Sequence, residues 1–445
     1  MAPYQPVTGM NLLTTAKSPN YPDNATPPTA CSLAPRLVIA DPGLSGLAGH
    51  HLAYSQAIAR AAQARGMPTL LLAARSFRAA AAGADIVCRP WFVTRYQNIG
   101  AGGPVRRALY ASASRLPPGI GARVGPALRS ARRLWNNRGA RTPGDRFGPE
   151  LVAALREFPR AGADIVLAHS VSAANIESLD CVTLPPSVQA LHIVLRRPPH
   201  DMNRDDGGQR HIAGILQRAA TRHAGRLHLH ADTTELAHLF ADATGLAVSP
   251  VPLPVQVPPV RTGPIGTPPC VLFPGGARLE KGYALLPPIV ERLRGRAAFL
   301  VHAGVVDAAS DPIIQRAHRA LLAAAGPGLT IIEGNLTATA YAEMLARVDL
   351  MLLPYSAAAY GARSSGILAE ALALGIPAVV PAGCWMAEMV AAGQGVAFTD
   401  SDRVIYDIEN ALNTLPELTA AARACAPQWR ARNSPDSLLT ELLAS

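Results

Sequence analysis

The sequence predicts an α/β protein of two Rossmann-like domains, and three observations carry that prediction. Short β-branched runs alternate with longer helical patterns, as parallel sheets with crossover helices require. The alternation breaks once, in a polar, Pro- and Gly-rich stretch over residues 256–268, and then begins again. A chain of 445 residues, 49% of them apolar, is too long for one compact core and rich enough to fill two. The expected layout is a first domain over residues 34–255, a hinge linker at 256–268 and a second domain over 269–445. A cleft lies where the carboxyl ends of the two sheets face each other.

In chain order, residues 1–33 are rich in Pro, Thr, Asn and Ser and read as a disordered leader. They lack the basic-then-apolar layout of a secretory signal. Residues 36–40 (RLVIA) form the first strand, followed by a loop with Gly43, Gly46 and Gly49 and a helix over 50–65. Strands follow at 69–73, 84–88, 164–168, 190–195 and 226–230, and a last one at 247–256 runs into alternating prolines. The second domain opens with a strand at 270–273. Its later strands fall at 298–302, 329–332, 350–353, 378–380 and 396–398, with helices between them. The final helix, 435–444, is placed to cross back onto the first domain.

Composition excludes several classes. No apolar run reaches the roughly eighteen residues that span a bilayer. The six cysteines are scattered, which supports neither a disulfide framework nor a zinc knuckle, and reduced thiols in a cytosol are expected. The net charge is +10, and every basic side chain except Lys17 and Lys281 is an arginine. Arg106, Arg107, Arg115, Arg123, Arg129, Arg132, Arg133, Arg138 and Arg141 lie in a segment with no acid. That patch suits an anionic membrane surface or a polyanionic acceptor as well as it suits a solvated loop. Nucleic acid is not expected, because no binding module accompanies the charge.

Two segments carry the chemistry. In Phe273-Pro-Gly-Gly-Ala-Arg-Leu-Glu-Lys-Gly282, a strand gives way to flexible glycines and then to Arg278 and Lys281. A guanidinium there grips phosphate oxygens in pairs, and an ammonium adds a mobile point charge. It is not a Walker A loop, since Ser or Thr does not follow the lysine. In the second segment, residues 353–377, a small-residue loop leads into a helix that starts near Ser364 or Ser365. Backbone amides at a helix start suit a diphosphate. Glu370, one to two turns in, is placed to accept hydrogen bonds from both ribose hydroxyls of a nucleotide. His169 follows the 164–168 strand at the cleft edge, and His50 and His51 begin the first helix. His192 alternates with apolar positions as either a core or a cleft residue. His223, His228, His230 and His238 lack ligand spacing, so no metal is expected. Asp400 and Asp402 read as a helix cap.

The 353–377 segment resembles the donor-binding signature of retaining GT-B glycosyltransferases, especially family four, which carries two glutamates eight positions apart. Glu370 matches the second, and the first falls on Ala362. The resemblance implies two Rossmann-like domains facing each other across a cleft, the GT-B fold. It further implies transfer of a hexose-type sugar from a nucleotide-diphosphate sugar to a glycan or lipid-linked acceptor, with retention and without metal or cofactor. The arginine-rich patch adds an expected setting in the cytoplasm at the inner membrane face, extending a lipid-linked glycan in exopolysaccharide or cell-surface glycan synthesis. The donor set implied is Gly46, Gly276, Arg278, Lys281, Ser364, Ser365, Gly366 and Glu370. His169, Arg278 and Lys281 take catalytic roles, and Gly49, His50 and His51 face the acceptor. Two alternatives stay open: a catalytically silent relative that binds glycan or nucleotide, and an NADP-dependent oxidoreductase using Arg75.

Overall fold

The computed structural model describes residues 34–46, 51–93, 146–204, 211–258, 260–308, 310–400 and 402–445. The expected leader, the arginine-rich segment, Gly49 and His50 lie outside the described residues. The first sheet contains β1 (Arg36–Asp41), β2 (Thr69–Ala74), β3 (Cys88–Phe92), β4 (Asp164–Ala168), β5 (Val188–Leu195), β6 (Leu227–Ala231) and β7 (Val248–Pro250). All pair in parallel, in the order β3-β2-β1-β4-β5-β6-β7. The second contains β8 (Cys270–Phe273), β9 (Ala298–Gly304), β10 (Leu329–Glu333), β11 (Leu350–Leu352), β12 (Ala378–Pro381) and β13 (Gly395–Phe398). Its order is β10-β9-β8-β11-β12-β13, again parallel. Helices cover both faces of each sheet, so the central strands are apolar without alternation: Val38, Ile39, Val271 and Leu272 are all fully buried.

Each sheet reverses its strand order once, between β1 and β4 in the first and between β8 and β11 in the second. Loops leaving adjacent strands diverge to opposite faces there and open a crevice at the carboxyl ends. Asp41 ends β1 and His169 follows β4. The Lys281 loop follows β8, and the loop to Glu370 follows β11.

Three elements depart from expectation. The third strand is at 88–92 rather than 84–88. Gly83 has φ near 100°, and Asp85 pairs with Arg60 at 2.8 Å on the outside, which holds 83–87 as a turn. Pro90 is tolerated because β3 is an edge strand. Over 247–256, only Val248–Pro250 joins the sheet, since Pro250, Pro252 and Pro254 have no amide to donate. The linker over 256–268, expected as a free hinge, is hydrogen-bonded to the second domain. Arg261 binds Asp349 at 2.6 Å, Arg423 donates to the Gly263 carbonyl at 2.6 Å and Arg430 to that of Pro258 at 2.6 Å. These pin it to the second domain. The crossing lies just upstream, where Leu253 and Val255 donate backbone amides to Asn433 Oδ1 (3.2 Å) and O (2.8 Å).

The chain crosses back beside Asn433 and ends in the helix Pro435–Ala444, capped by Ser434 with Pro435 in its first turn. Leu438, Leu439 and Leu442 enter the first-domain core with Ile58 and Ala62 of the helix His51–Ala64. Arg65 fastens the joint through Asp436 (2.6 Å) and Thr440 (2.6 Å). Burying Leu439 completely makes its loss expensive: Leu439→Ala should destabilise the chain by about 3 kcal/mol, seen as a lower urea midpoint. An unchanged midpoint would mean that this helix contributes nothing to the first domain.

Candidate functional site

Three backbone segments meet at the β8/β11 crevice. Gly282 has φ near 72°, and any Cβ there would collide with the Pro354 carbonyl oxygen, so glycine alone lets the Lys281 turn lie against the β11 loop. Ser356 donates its amide to the Glu280 carbonyl at 2.9 Å, closing the same contact. The glycine loop before it is tied to the end of β9 by Gly276 N to His302 O (3.2 Å) and Ala277 N to Ala303 O (2.8 Å). Gly275, also left-handed, faces the helix Gly366–Leu374; a methyl there would stand 3.4 Å from Ile367 Cδ1. That helix is capped by Ser365, whose hydroxyl accepts from Leu368 N, and it ends at left-handed Gly375. Its first amides and positive dipole end thus open beside the glycine loop.

Lys281 is mostly enclosed. Its ammonium donates to the Gly275 carbonyl at 2.7 Å and lies 5.6 Å from the centre of the Tyr355 ring. Burial, reinforced by the neighbouring Arg278, pulls its pKa down to about 8. Glu370 accepts from the Tyr341 hydroxyl at 2.6 Å, yet burial outweighs that bond and pushes its pKa up to about 7. The Tyr355 hydroxyl is buried without a hydrogen-bond partner among the described residues. Arg278 and Glu370 both act electrostatically on Tyr355, so charges from the β8 loop and from the Gly366–Leu374 helix converge around that β11-loop ring. A cavity of about 370 Å³ opens beside them, lined by Leu279, Gly282, Tyr355, Ser356, Pro381 and Thr399, but neither Lys281 nor Glu370 lines it.

The first domain supplies a wall of buried polar groups at its own switch point. Asp41 is fully buried and accepts from the amides of Gly43 (3.0 Å) and Leu44 (3.1 Å), from Ser55 Oγ (3.3 Å) and from His51 Nδ1 (2.9 Å). Burial alone would raise its pKa, but His169 and His51 hold it well below the usual carboxylate range. His169 is likewise fully buried, with Nε2 at 3.0 Å from Ser55 and 3.3 Å from Asp41, and Nδ1 at 3.1 Å from Ser170. Tyr54 stacks on it at 4.3 Å, and Arg196 covers Tyr54 at 4.3 Å.

The two walls touch through the loop before the Glu370 helix. Thr233 Oγ1 donates to the Ala362 carbonyl at 2.7 Å, and Ser364 Oγ donates to Asp232 Oδ2 at 2.6 Å. Ala362 itself is buried among first-domain core residues.

Lys281, Gly276, Ser365, Gly366 and Glu370 are therefore brought together. Arg278 is exposed on the rim, 3.8 Å from Glu280 rather than turned inward. Ser364 is occupied by Asp232. His169 has both ring nitrogens engaged inside the wall, because Ser55 and Asp41 lie beneath the strand end from which it projects. Gly46 is exposed, and no described contact joins it to Lys281. His51 faces Asp41. The second histidine group resolves differently from its spacing: His192 stacks between His228 (5.0 Å) and His230 (5.2 Å), His223 bonds the Leu179 carbonyl and His238 is exposed. Among the described residues no three His, Cys, Asp or Glu side chains are placed to hold a metal ion. Asp400 and Asp402 do not cap the next helix; Arg403 occupies that position, with no side-chain cap.

Asp41, Arg196, Asp232, Tyr341 and Tyr355 were not singled out by sequence. For the first three a signal existed: each charge stands at the carboxyl end of an apolar strand, where a buried parallel sheet meets its crevice.

No protein-family model matches the chain, and no curated protein matches it by sequence. Solved structures do match. Sucrose-phosphate synthase from Thermosynechococcus elongatus superposes with a TM-score of 0.58 at 13% identity, over 92% of this chain and 98% of that one. Anabaena HepE in complex with UDP gives 0.58 at 13% identity, over 92% and 99%. The fold is GT-B. The E. coli trehalose-6-phosphate protein bound with UDP-2-fluoro glucose gives 0.59 at 12%, over 92% and 98%. At these identities the likeness is one of fold. The GT-B architecture puts the Lys281 and Asp41 walls on opposite domains.

Lys281 loses its proton as pH rises through about 8, and Glu370 loses its negative charge as pH falls through about 7. A diphosphate needs the first group charged, and ribose hydroxyls need the second. Affinity for a nucleotide sugar should therefore peak between those values and fall by up to about tenfold per pH unit on either side. Calorimetric titration across pH 5–10 measures it. Lys281→Arg should flatten the alkaline limb alone, because a guanidinium stays charged. A pH-independent affinity would contradict the assignment.

Proposed function

We propose that this chain is a glycosyltransferase that moves a hexose-type sugar from a nucleotide-diphosphate sugar to a glycan or lipid-linked acceptor. The observation that carries this is the meeting of the Lys281 ammonium, the mouth of the Gly366–Leu374 helix and the Glu370 carboxylate at one switch point. UDP in the HepE structure and UDP-2-fluoro glucose in the E. coli one support a nucleotide sugar as the ligand.

Cleaving the sugar–diphosphate bond leaves positive charge on the anomeric carbon and negative charge on the departing diphosphate. Lys281 and the helix amides meet the latter, and their fixed placement spares solvent reorganisation. Cationic side chains and amides in this role take the part of a divalent metal, so transfer proceeds without one. Glu370 holds the ribose. Arg278, on the rim, reaches the outer phosphate when the site fills. His169 does not touch substrate; through Ser55 and Asp41 it fixes the first-domain wall and is a positioning residue. Domains close about the paired crossings at Leu253–Val255 and Asn433, which excludes water from the donor. Retention follows if the leaving phosphate takes the acceptor proton on the face it departs from. The arginine-rich segment over 106–141 suits an enzyme working at an anionic membrane face on a lipid-linked glycan, in the cytoplasm; no helix among the described residues is long and apolar enough to cross a membrane.

Lys281→Ala should lower donor turnover by about 10²–10³-fold, the usual cost of losing one preorganised group at a developing charge. A nucleotide-release assay with UDP-glucose, GDP-mannose and ADP-glucose measures it and identifies the base. Unchanged turnover of the cognate donor would reject the role. Binding without any release, in the presence of candidate acceptors, would mark a silent relative.

A further inference from the structure

Asp232 directly follows β6 of the first domain and is more than nine-tenths buried. One carboxylate oxygen accepts from Ser364 at 2.6 Å, across the domain boundary. The other, Oδ1, is buried without a hydrogen-bond partner among the described residues. Leaving such an oxygen unsatisfied is costly, and native structures do so where a ligand or water completes the site. Burial raises the Asp232 pKa, against Arg196, Ser364 and Arg363, which favour the anion.

The location says what completes it. Ser364 directly precedes Ser365, the cap of the helix whose amides form the diphosphate mouth. The carboxylate therefore sits one hydroxyl away from that mouth. The neighbouring loop residue Ala362 offers only a methyl group, and its carbonyl is already taken by Thr233. Whatever is bonded to the outer phosphate of a diphosphate at the mouth comes next to Asp232. In a nucleotide sugar that is the transferred sugar, which presents hydroxyl donors to an acceptor-only carboxylate.

We propose that Asp232, contributed by the opposite domain, binds a hydroxyl of the transferred sugar through Oδ1 and so selects the donor sugar. This rests on the donor reading above and goes beyond it by naming a specificity residue. Because Ser364 holds the other oxygen, the contact forms only with the domains together, which couples sugar recognition to closure. A sugar with a hydroxyl correctly placed is favoured, and one lacking it leaves the carboxylate unpaired.

The test takes whichever of UDP-glucose, GDP-mannose or ADP-glucose the wild-type chain turns over, together with its 2-, 3-, 4- and 6-deoxy analogues. One deoxy position should cost wild type roughly 10- to 100-fold in kcat/KM. In Asp232→Ala that penalty should vanish, while affinity for the free nucleoside diphosphate changes less than about threefold. Equal penalties in wild type and variant would overturn the proposal, as would equal losses of nucleotide and donor affinity. Should Asp232→Ala not fold, the nearly isosteric Asp232→Asn replaces it with a reduced penalty expected. The wild-type series also decides alone: no deoxy position costing more than about threefold rejects the contact. Failure of the wild type to bind any of the three donors would instead bring down the donor reading itself.

Discussion

An ammonium enclosed with a single carbonyl for company is an unfinished electrostatic arrangement, and Lys281 is in that position. Its hydrogen bond to Gly275 fixes where the charge stands without neutralising it. Burial makes the charge hard to keep and pulls its pKa down to about 8; on the proposed function, an arriving diphosphate removes that difficulty. The surroundings serve this one placement. Gly282 lets the turn lie on the Pro354 carbonyl, Gly275 leaves the helix mouth open, and Tyr355 floors the space between them. Glu370 is the mirror case, a buried carboxylate bonded to the Tyr341 hydroxyl with its pKa pushed up to about 7; on the proposed function, ligand hydroxyls supply its further donors.

The first domain solves a different problem. Asp41, His51, Ser55 and His169 satisfy one another within the first domain, so that wall has its partners without a ligand. The domains also touch at the loop that precedes the Gly366–Leu374 helix, through Ala362 and Ser364. The same few residues therefore belong both to the mouth of that helix and to the domain boundary. The two chain crossings lie side by side at Leu253–Val255 and Asn433, joined by two hydrogen bonds.

Most of the scaffold was legible because parallel sheets write continuous apolar runs, and the second domain was read within a residue or two at every strand. The errors have local causes. The edge strand begins four residues later than its sequence suggests, because Ala84–Cys88 is apolar enough for a strand and the Arg60–Asp85 pair holds it as a turn. The linker looked free because Pro and Gly mark flexibility, whereas Arg261, Arg423 and Arg430 arrive from distant sequence to pin it. In the site, Lys281 and Glu370 stood out by motif spacing. Asp232 did not, since its meaning depends on Ser364, 132 positions away. Long-range partners of this kind have no signature in a single strand or helix. His169 shows the converse: its position after a strand was visible, but not that Ser55 and Asp41 would close around it.

A structure of the chain with a bound nucleoside diphosphate tests the central claim most directly. The pyrophosphate is expected between Lys281 Nζ and the amides that open the Gly366–Leu374 helix, with both ribose hydroxyls on Glu370. Density for the diphosphate at the end of β1, against Gly43 and Gly46 and away from Lys281, would contradict it.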